Sequence, residues 1–109
     1  MAENYDKLGE SSPSAATATT LYTVPAVTDV VVAFISVCNR STTPTAFRLG
    51  IDVGGSGDTD SQWSYYDCPI GANETVEVMR GATLTATDLI RCYATLATLS
   101  FNAYGVDIT

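Results

Sequence analysis

The sequence has no histidine and few cations. Its 109 residues include 12 acids but only five lysines and arginines, so the net charge is −7. Without imidazole the chain cannot build a Ser-His-Asp triad or a Cys-His dyad, and it lacks the commonest zinc ligand. The acidic balance also argues against nucleic acid and against anionic membranes as partners.

Long apolar runs are lacking as well. The longest, at residues 30–37, is far shorter than the roughly 20 residues that a membrane-spanning helix needs. Residues 1–14 are polar and acidic, without the basic and apolar regions of a signal peptide. We therefore expect a soluble chain that is not exported by an ordinary signal.

Cysteine is scarce and odd in number. Cys38, Cys68 and Cys92 lie far apart, without a C-x-x-C motif, so the sequence predicts no metal site and no cofactor. Three cysteines cannot all pair within one chain. Two interpretations stay open: three reduced and mostly buried thiols, or at least one disulfide between subunits.

The remaining composition is that of one globular domain with 46% hydrophobic residues. Residues 1–20, rich in Ala, Ser and Thr, show no periodic pattern and predict an extended N-terminal arm. We expect this arm to bind a partner chain, through Tyr5, Leu8 and Pro13, or else to dock on its own domain. Residues 21–109 form the predicted folded domain.

Strand patterns dominate that domain. In residues 29–39 the β-branched residues fall on both parities, which predicts a strand covered on both faces. Residues 81–88 are a predicted loop with Leu84 as its apolar plug. The other predicted strands are residues 21–24, 45–53, 62–68, 74–80, 89–96 and 99–108. Seven or eight short strands without a helical stripe predict an all-β protein, a single antiparallel β-sandwich of jelly-roll type, with strand order undetermined.

Three features of the predicted loops and strands raise functional questions. The acidic, glycine-rich segment 52–60 could be a calcium loop, but its spacing fits poorly and favours a solvated hairpin loop. Trp63, Tyr65 and Tyr66 are candidates for a core or subunit interface, or for a glycan platform. Arginines at 40, 48, 80 and 91 are candidates for ion pairs across subunits. No pair of carboxylates marks a catalytic site, so we expect no enzyme.

Five segments carry a resemblance to a known family. They are LYTVPAVTD (21–29), VCNRSTTPTAFR (37–48), YYDCPIGA (65–72), LTATDLIRCY (84–93) and LSFNAYGVDI (99–108). Together they resemble a family of small proteins of tailed bacteriophages, over nearly all of residues 20–109. The resemblance implies a virion structural protein with a β-sandwich fold and no catalysis.

The cysteines depart from that family pattern. Cys38 lies in the matching VCN motif, whereas Cys68 and Cys92 stand where the family has other residues. Added cysteines in a virion protein suggest covalent crosslinks between subunits, since released particles meet an oxidising environment. Cys68, at a strand end before Pro69, is the favoured candidate, and Cys92 is expected to be buried.

The resemblance thus predicts a small accessory subunit located in the virion and assembled in the host bacterial cytoplasm. Its partners would be larger virion proteins, with the tail fibre or tailspike region favoured. A capsid decoration (cement) protein is the alternative, and a glycan-binding module is a further one. We expect a closed homo-oligomer, with a trimer as the first guess.

Overall fold

Two antiparallel sheets packed face to face make up the fold of the computed structural model, which describes residues 3–55 and 60–109. Short turns at Val53–Gly55 and Asp60–Gln62 follow one strand and precede the next. The strands are β1 (Glu3–Ser11), β2 (Thr19–Thr23), β3 (Asp29–Asn39), β4 (Thr45–Asp52), β5 (Trp63–Ile70), β6 (Thr75–Val78), β7 (Ala82–Leu84), β8 (Leu89–Ala94) and β9 (Leu99–Ile108). The predicted all-β sandwich is confirmed.

The strand order is that of a jelly roll. One sheet has the order β1-β9-β3-β6, with β7 also paired to β3, and the other has the order β2-β8-β4-β5. β6 pairs with Ile35–Cys38 and β7 pairs with Val30–Val32. These two short strands therefore lie one after the other along the same edge of β3. If β6 and β7 are counted as one strand, each sheet has four strands, as in double-sheet jelly rolls of eight strands.

The core lies between the two sheets. Leu84 and Cys92 belong to it, as predicted, although Leu84 ends a short strand and not a loop. The largest fully buried side chains are Phe47, Phe101, Ile35, Leu49, Ile70, Leu84, Ile90 and Leu99. Each strand contributes one face to this core, so the other face of each sheet is turned outward. Among the described residues there is no helix of the length and apolarity that crossing a bilayer requires.

β3 differs from its prediction, because only one of its faces is covered. Val30, Val32, Ile35 and Val37 are all buried although their parity changes between 32 and 35. The register with β9 shifts between Val32 and Phe34, and this bulge adds one residue that moves the later side chains to the same face. The opposite side of the strand faces outward, and Val31 there is 37% exposed.

The N-terminal segment of the described chain docks on its own domain. β1 was not foreseen, because its side chains show no apolar alternation. Its backbone pairs with β9 along the whole strand, from Glu3 opposite Ile108 to Ser11 opposite Phe101. A register shift between Lys7 and Gly9 turns Leu8 toward the core. Backbone hydrogen bonds therefore make this strand, which side-chain patterns do not reveal.

Candidate functional site

An arginine stacked between two tyrosines stands on the outer face of the four-stranded sheet. The Arg48 guanidinium lies 4.0 Å from the ring centroid of Tyr66 and 4.2 Å from that of Tyr93. Its Nε donates to Asp67 Oδ1 at 2.7 Å and its Nη2 donates to Asp67 Oδ2 at 3.3 Å. The hydrogen bond to Asp67 raises the pKa of Arg48, so the guanidinium stays charged. We call Arg48, Trp63, Tyr66, Asp67 and Tyr93 the arginine cluster.

A β-bulge in β5 builds this cluster. Phe47 lies opposite Cys68 and Leu49 lies opposite Tyr65, so two residues of β5 face the single residue Arg48. Those two are Tyr66 and Asp67, and Asp67 has a φ of 50°, in the left-handed region that is uncommon for a residue other than glycine. Bulges re-aim side chains, and this one brings a ring and a carboxylate to the same guanidinium.

The three aromatics singled out in the sequence separate onto two faces. Tyr66 is 54% exposed, and its ring meets that of Trp63 edge-on at 6.4 Å on the outer face. Tyr65 packs against the core, 6.4 Å from the Phe47 ring, and its hydroxyl accepts a hydrogen bond from the Met79 N–H at 2.9 Å. Tyr65 therefore joins the two sheets, whereas Trp63 and Tyr66 are available to a partner.

Sequence reasoning did not place Arg48, Asp67 and Tyr93 in a site. Arg48 was a candidate for an ion pair across subunits, but the structure pairs it within its own chain. The available signal was the polar parity of Arg48 within an alternating strand, together with the adjacent tyrosines and aspartate of YYD. Trp, Tyr and Arg are the residue types that dominate binding hot spots, so the cluster has the composition of a protein-binding surface.

The outer face of the five-stranded sheet carries a second group of rings. Phe34 and Tyr104 pack with centroids 5.0 Å apart, and the Lys7 ammonium lies 5.9 Å from the Tyr104 ring centroid. Tyr5, on the neighbouring edge strand, is 77% exposed. Phe34 and Tyr104 are half-buried, and with the exposed Val31 and Tyr5 they form a partly apolar surface on this face.

The cysteines are free thiols in three different settings. Cys92 is buried, and burial raises the pKa of its thiol to about 11. Cys68, the favoured candidate for a crosslink, packs partly against the core because it lies opposite the buried Phe47. Cys38 stands between the buried Val37 and Asn39, so its side chain is on the outer face. Of the three thiols, Cys38 is the best placed to meet another subunit.

The three residues proposed for the arm have unequal exposure. Tyr5 is exposed, but Leu8 is half-buried and packs against the core, and Pro13 is buried. Two of the three thus already serve to anchor the arm on its own domain. Only Tyr5 has an exposed side chain.

The start of the acidic segment 52–60 is tied to a second turn by Asp88, which lies outside the segment. Asp52 is buried, and Asp88 accepts hydrogen bonds from the Gly54 N–H at 2.9 Å and the Thr85 N–H at 3.0 Å. Asp88 therefore ties the turn after β4 to the turn before β8. Residues 56–59 of the loop lie outside the described residues. Over the described ranges, no group of three or more His, Cys, Asp or Glu side chains could hold a metal ion.

Comparison with protein-family models and with curated proteins found no match. Among solved structures, the chain is similar to a pentameric capsid protein isolated from metagenomic phage sequences. The two share 14% sequence identity with a TM-score of 0.41, over 94% of this chain and 60% of that one. The chain thus spans about three fifths of that protein's length.

Proposed function

We propose that this chain is a non-enzymatic structural subunit of a bacteriophage particle that binds larger virion proteins through its outer sheet faces. The arginine cluster carries the proposal. Its Arg48 is held by Asp67 and two tyrosines, so the surface is ordered before a partner arrives. A rigid aromatic and arginine surface loses little conformational entropy on binding, which favours a protein partner.

Two further observations support this role. The sequence resembles small proteins of tailed phages over most of its length. The jelly roll is also a common architecture of viral capsid proteins and lectins, although a fold alone does not determine function. Within the particle we propose the tail fibre or tailspike region, with capsid decoration as the alternative location.

Incorporation into particles tests the proposal. Purified particles would be analysed by mass spectrometry after complementation with the wild-type chain or with Tyr66→Ala. Because Tyr66 is exposed, its loss should spare the fold, and we expect incorporation to fall about tenfold, as for removal of a hot-spot side chain. Arg80→Ala is the matched control, since Arg80 is an exposed residue of the β6–β7 turn.

The outcomes separate the locations. Copy numbers comparable to the capsid protein would place the chain on the capsid, and a few copies per particle would place it at the tail. Absence of the chain from purified particles would contradict the proposed function.

A crosslink between subunits can be examined on the same particles. We expect any reducible band that contains this chain to disappear in Cys38→Ser, because Cys38 faces outward. Cys68→Ser is the matched control and should leave the band in place. A band that depends on Cys68 would contradict the assignment to Cys38 and identify the half-buried Cys68 as the crosslinked residue.

Glycan binding is the second candidate function, and the exposed Tyr66 ring beside Trp63 favours it. Aromatic rings on a shallow surface can stack on sugars. Titration with bacterial surface saccharides, followed by NMR, should then shift the Trp63 indole signal, and Trp63→Ala should abolish binding. Absence of any shift would end this candidate and leave the protein-binding role.

A further inference from the structure

The N-terminal strand is held almost wholly by one neighbour. Its ladder partners in the described chain lie in β9, and its residues 3–7 are exposed. Three anchors fix the segment: Leu8 packs against the core, Pro13 is buried, and the Ser12 hydroxyl accepts a hydrogen bond from Arg40 Nη2 at 2.8 Å. Residues 3–13 therefore form one docked unit.

The connection from this unit to β2 is of a different kind. The side chains of residues 14–17 are exposed. The backbone of this connector touches β8 through the Ala16 N–H, which donates to the Ala94 carbonyl at 2.8 Å. Ala16 has a φ of 54°, in the left-handed region that disfavours residues with a Cβ. The connector thus holds strain, and its side chains are exposed, so they contribute little to the core.

The edge of β9 needs a partner strand. β9 spans ten residues, and its inward side chains Leu99, Phe101 and Ala103 are fully buried. A long edge strand with these properties pairs readily with other chains when it is left open. β1 covers this edge in the described chain, but a β1 from another copy would supply the same ladder and the same three anchors.

We infer that β1 is exchanged between copies of this chain, so that residues 3–13 of one subunit dock on β9 of the next. After exchange, residues 3–13 make the same contacts with the neighbouring subunit that they make with their own domain. Only the connector changes, and Ala16 can then leave its left-handed conformation. Such swapping is a low-cost route to oligomers. This inference rests on the proposed function, because a phage particle is what would hold neighbouring copies close together.

Engineered disulfides across the β1–β9 ladder test this exchange. Tyr5 lies opposite Val106 and Lys7 lies opposite Tyr104, which are separations that a disulfide can bridge. Tyr5→Cys with Val106→Cys, and separately Lys7→Cys with Tyr104→Cys, would be made in full-length protein that carries Cys38→Ser and Cys68→Ser. After oxidation at high protein concentration, non-reducing electrophoresis separates linkage within a chain from linkage between chains.

Exchange predicts covalent dimers or closed rings as the main oxidised product of both variants. Oxidised protein that runs only as monomer would overturn the inference, because the strand would then dock on its own domain alone. Failure of either pair to form any disulfide would overturn it too, since exchange requires the same register. Tyr5→Cys with Asn102→Cys is the control for random collisions, as Asn102 lies opposite Glu10 and should give no such product.

Ala16→Gly gives a second measurement. Glycine adopts a positive φ at no steric cost, so this change should stabilise docking within one chain and lower the proportion of covalent multimers. Ser14→Gly is the matched control in the same exposed connector and should change the proportion less. Both assays use purified protein, so a negative result here is distinct from absence of the chain from phage particles.

Discussion

At the scale of single residues, Arg48 combines ring stacking with a hydrogen-bonded ion pair in one surface side chain. Its guanidinium has ring faces on both sides and a carboxylate at its edge. An isolated surface ion pair contributes little to stability, but a bidentate pair that is also stacked between rings contributes more. The arginine cluster therefore both stabilises β4 against β5 and β8 and holds the outer face rigid.

Arg48→Lys should lower the free energy of unfolding by about 1 kcal/mol, because an ammonium keeps the charge but loses the fork and the stacking surface. Urea denaturation followed by tyrosine and tryptophan fluorescence measures the change. Arg80→Lys, in the exposed pair with Glu77, should stay within about 0.5 kcal/mol of wild type. Equal effects of the two variants would contradict a special role for the cluster.

Cys92 links stability to pH. Burial raises the pKa of its thiol from 9.0 to about 11, so the unfolded chain loses this proton at a lower pH than the folded chain. The stabilising effect is complete below pH 9.0 and is lost as the pH rises to about 11. Over this pH window we expect the free energy of unfolding of the wild type to fall by about 3 kcal/mol more than that of Cys92→Ala. A parallel pH dependence in both proteins would contradict the assignment.

At the scale of elements, bulges decide which side chains reach which face. The bulge in β3 puts four valine and isoleucine side chains into the core despite their mixed parity. The bulge in β5 sends Tyr66 and Asp67 to Arg48, and the shift in β1 turns Leu8 inward. Each bulge is one residue long, and each places side chains on a face of the sheet that strict alternation would not give them.

Gly105 allows β9 to approach β3 beside the first of these bulges. A Cβ at this position would collide with the Val31 carbonyl oxygen and press on the Val32 Cα. Gly105→Ala should therefore lower the free energy of unfolding by about 2 kcal/mol, as measured by thermal or urea denaturation. The control is Gly71→Ala, whose Cβ would meet only the flexible Glu74 side chain. A neutral effect at Gly105 would show that β9 can move away from β3 without loss.

At the scale of the whole molecule, charge is distributed unevenly between the sheets. The described strands of the four-stranded sheet hold two carboxylates and two arginines, whereas those of the five-stranded sheet hold six carboxylates and one lysine. The carboxylates of the latter are Glu3, Asp6, Glu10, Asp29, Glu77 and Asp107. Copies of this chain, each with a net charge of −7, therefore repel one another at low ionic strength.

Salt should for this reason strengthen self-association. Sedimentation velocity at about 10 mM and about 150 mM NaCl should show a larger oligomer fraction at the higher concentration, where charges are screened beyond about 8 Å. Sodium sulfate at equal ionic strength is a check that screening is the cause. A smaller oligomer fraction at high salt would instead indicate that contacts between opposite charges hold the copies together.

Side-chain patterns alone determined much of this molecule. Alternation of apolar residues predicted the sandwich and the burial of Cys92, because the pattern records which side of each strand avoids water. The bounds of β3 came from its run of β-branched residues, and Leu84 was predicted as the one apolar residue of a polar stretch. The pattern could not predict β1 or the strand order, since strands pair through backbone groups that nearly every residue shares. The bulges, and with them the arginine cluster, arise only where the register of two distant strands is set. Tertiary structure therefore decided the candidate site, while the local sequence decided the class of fold that carries it.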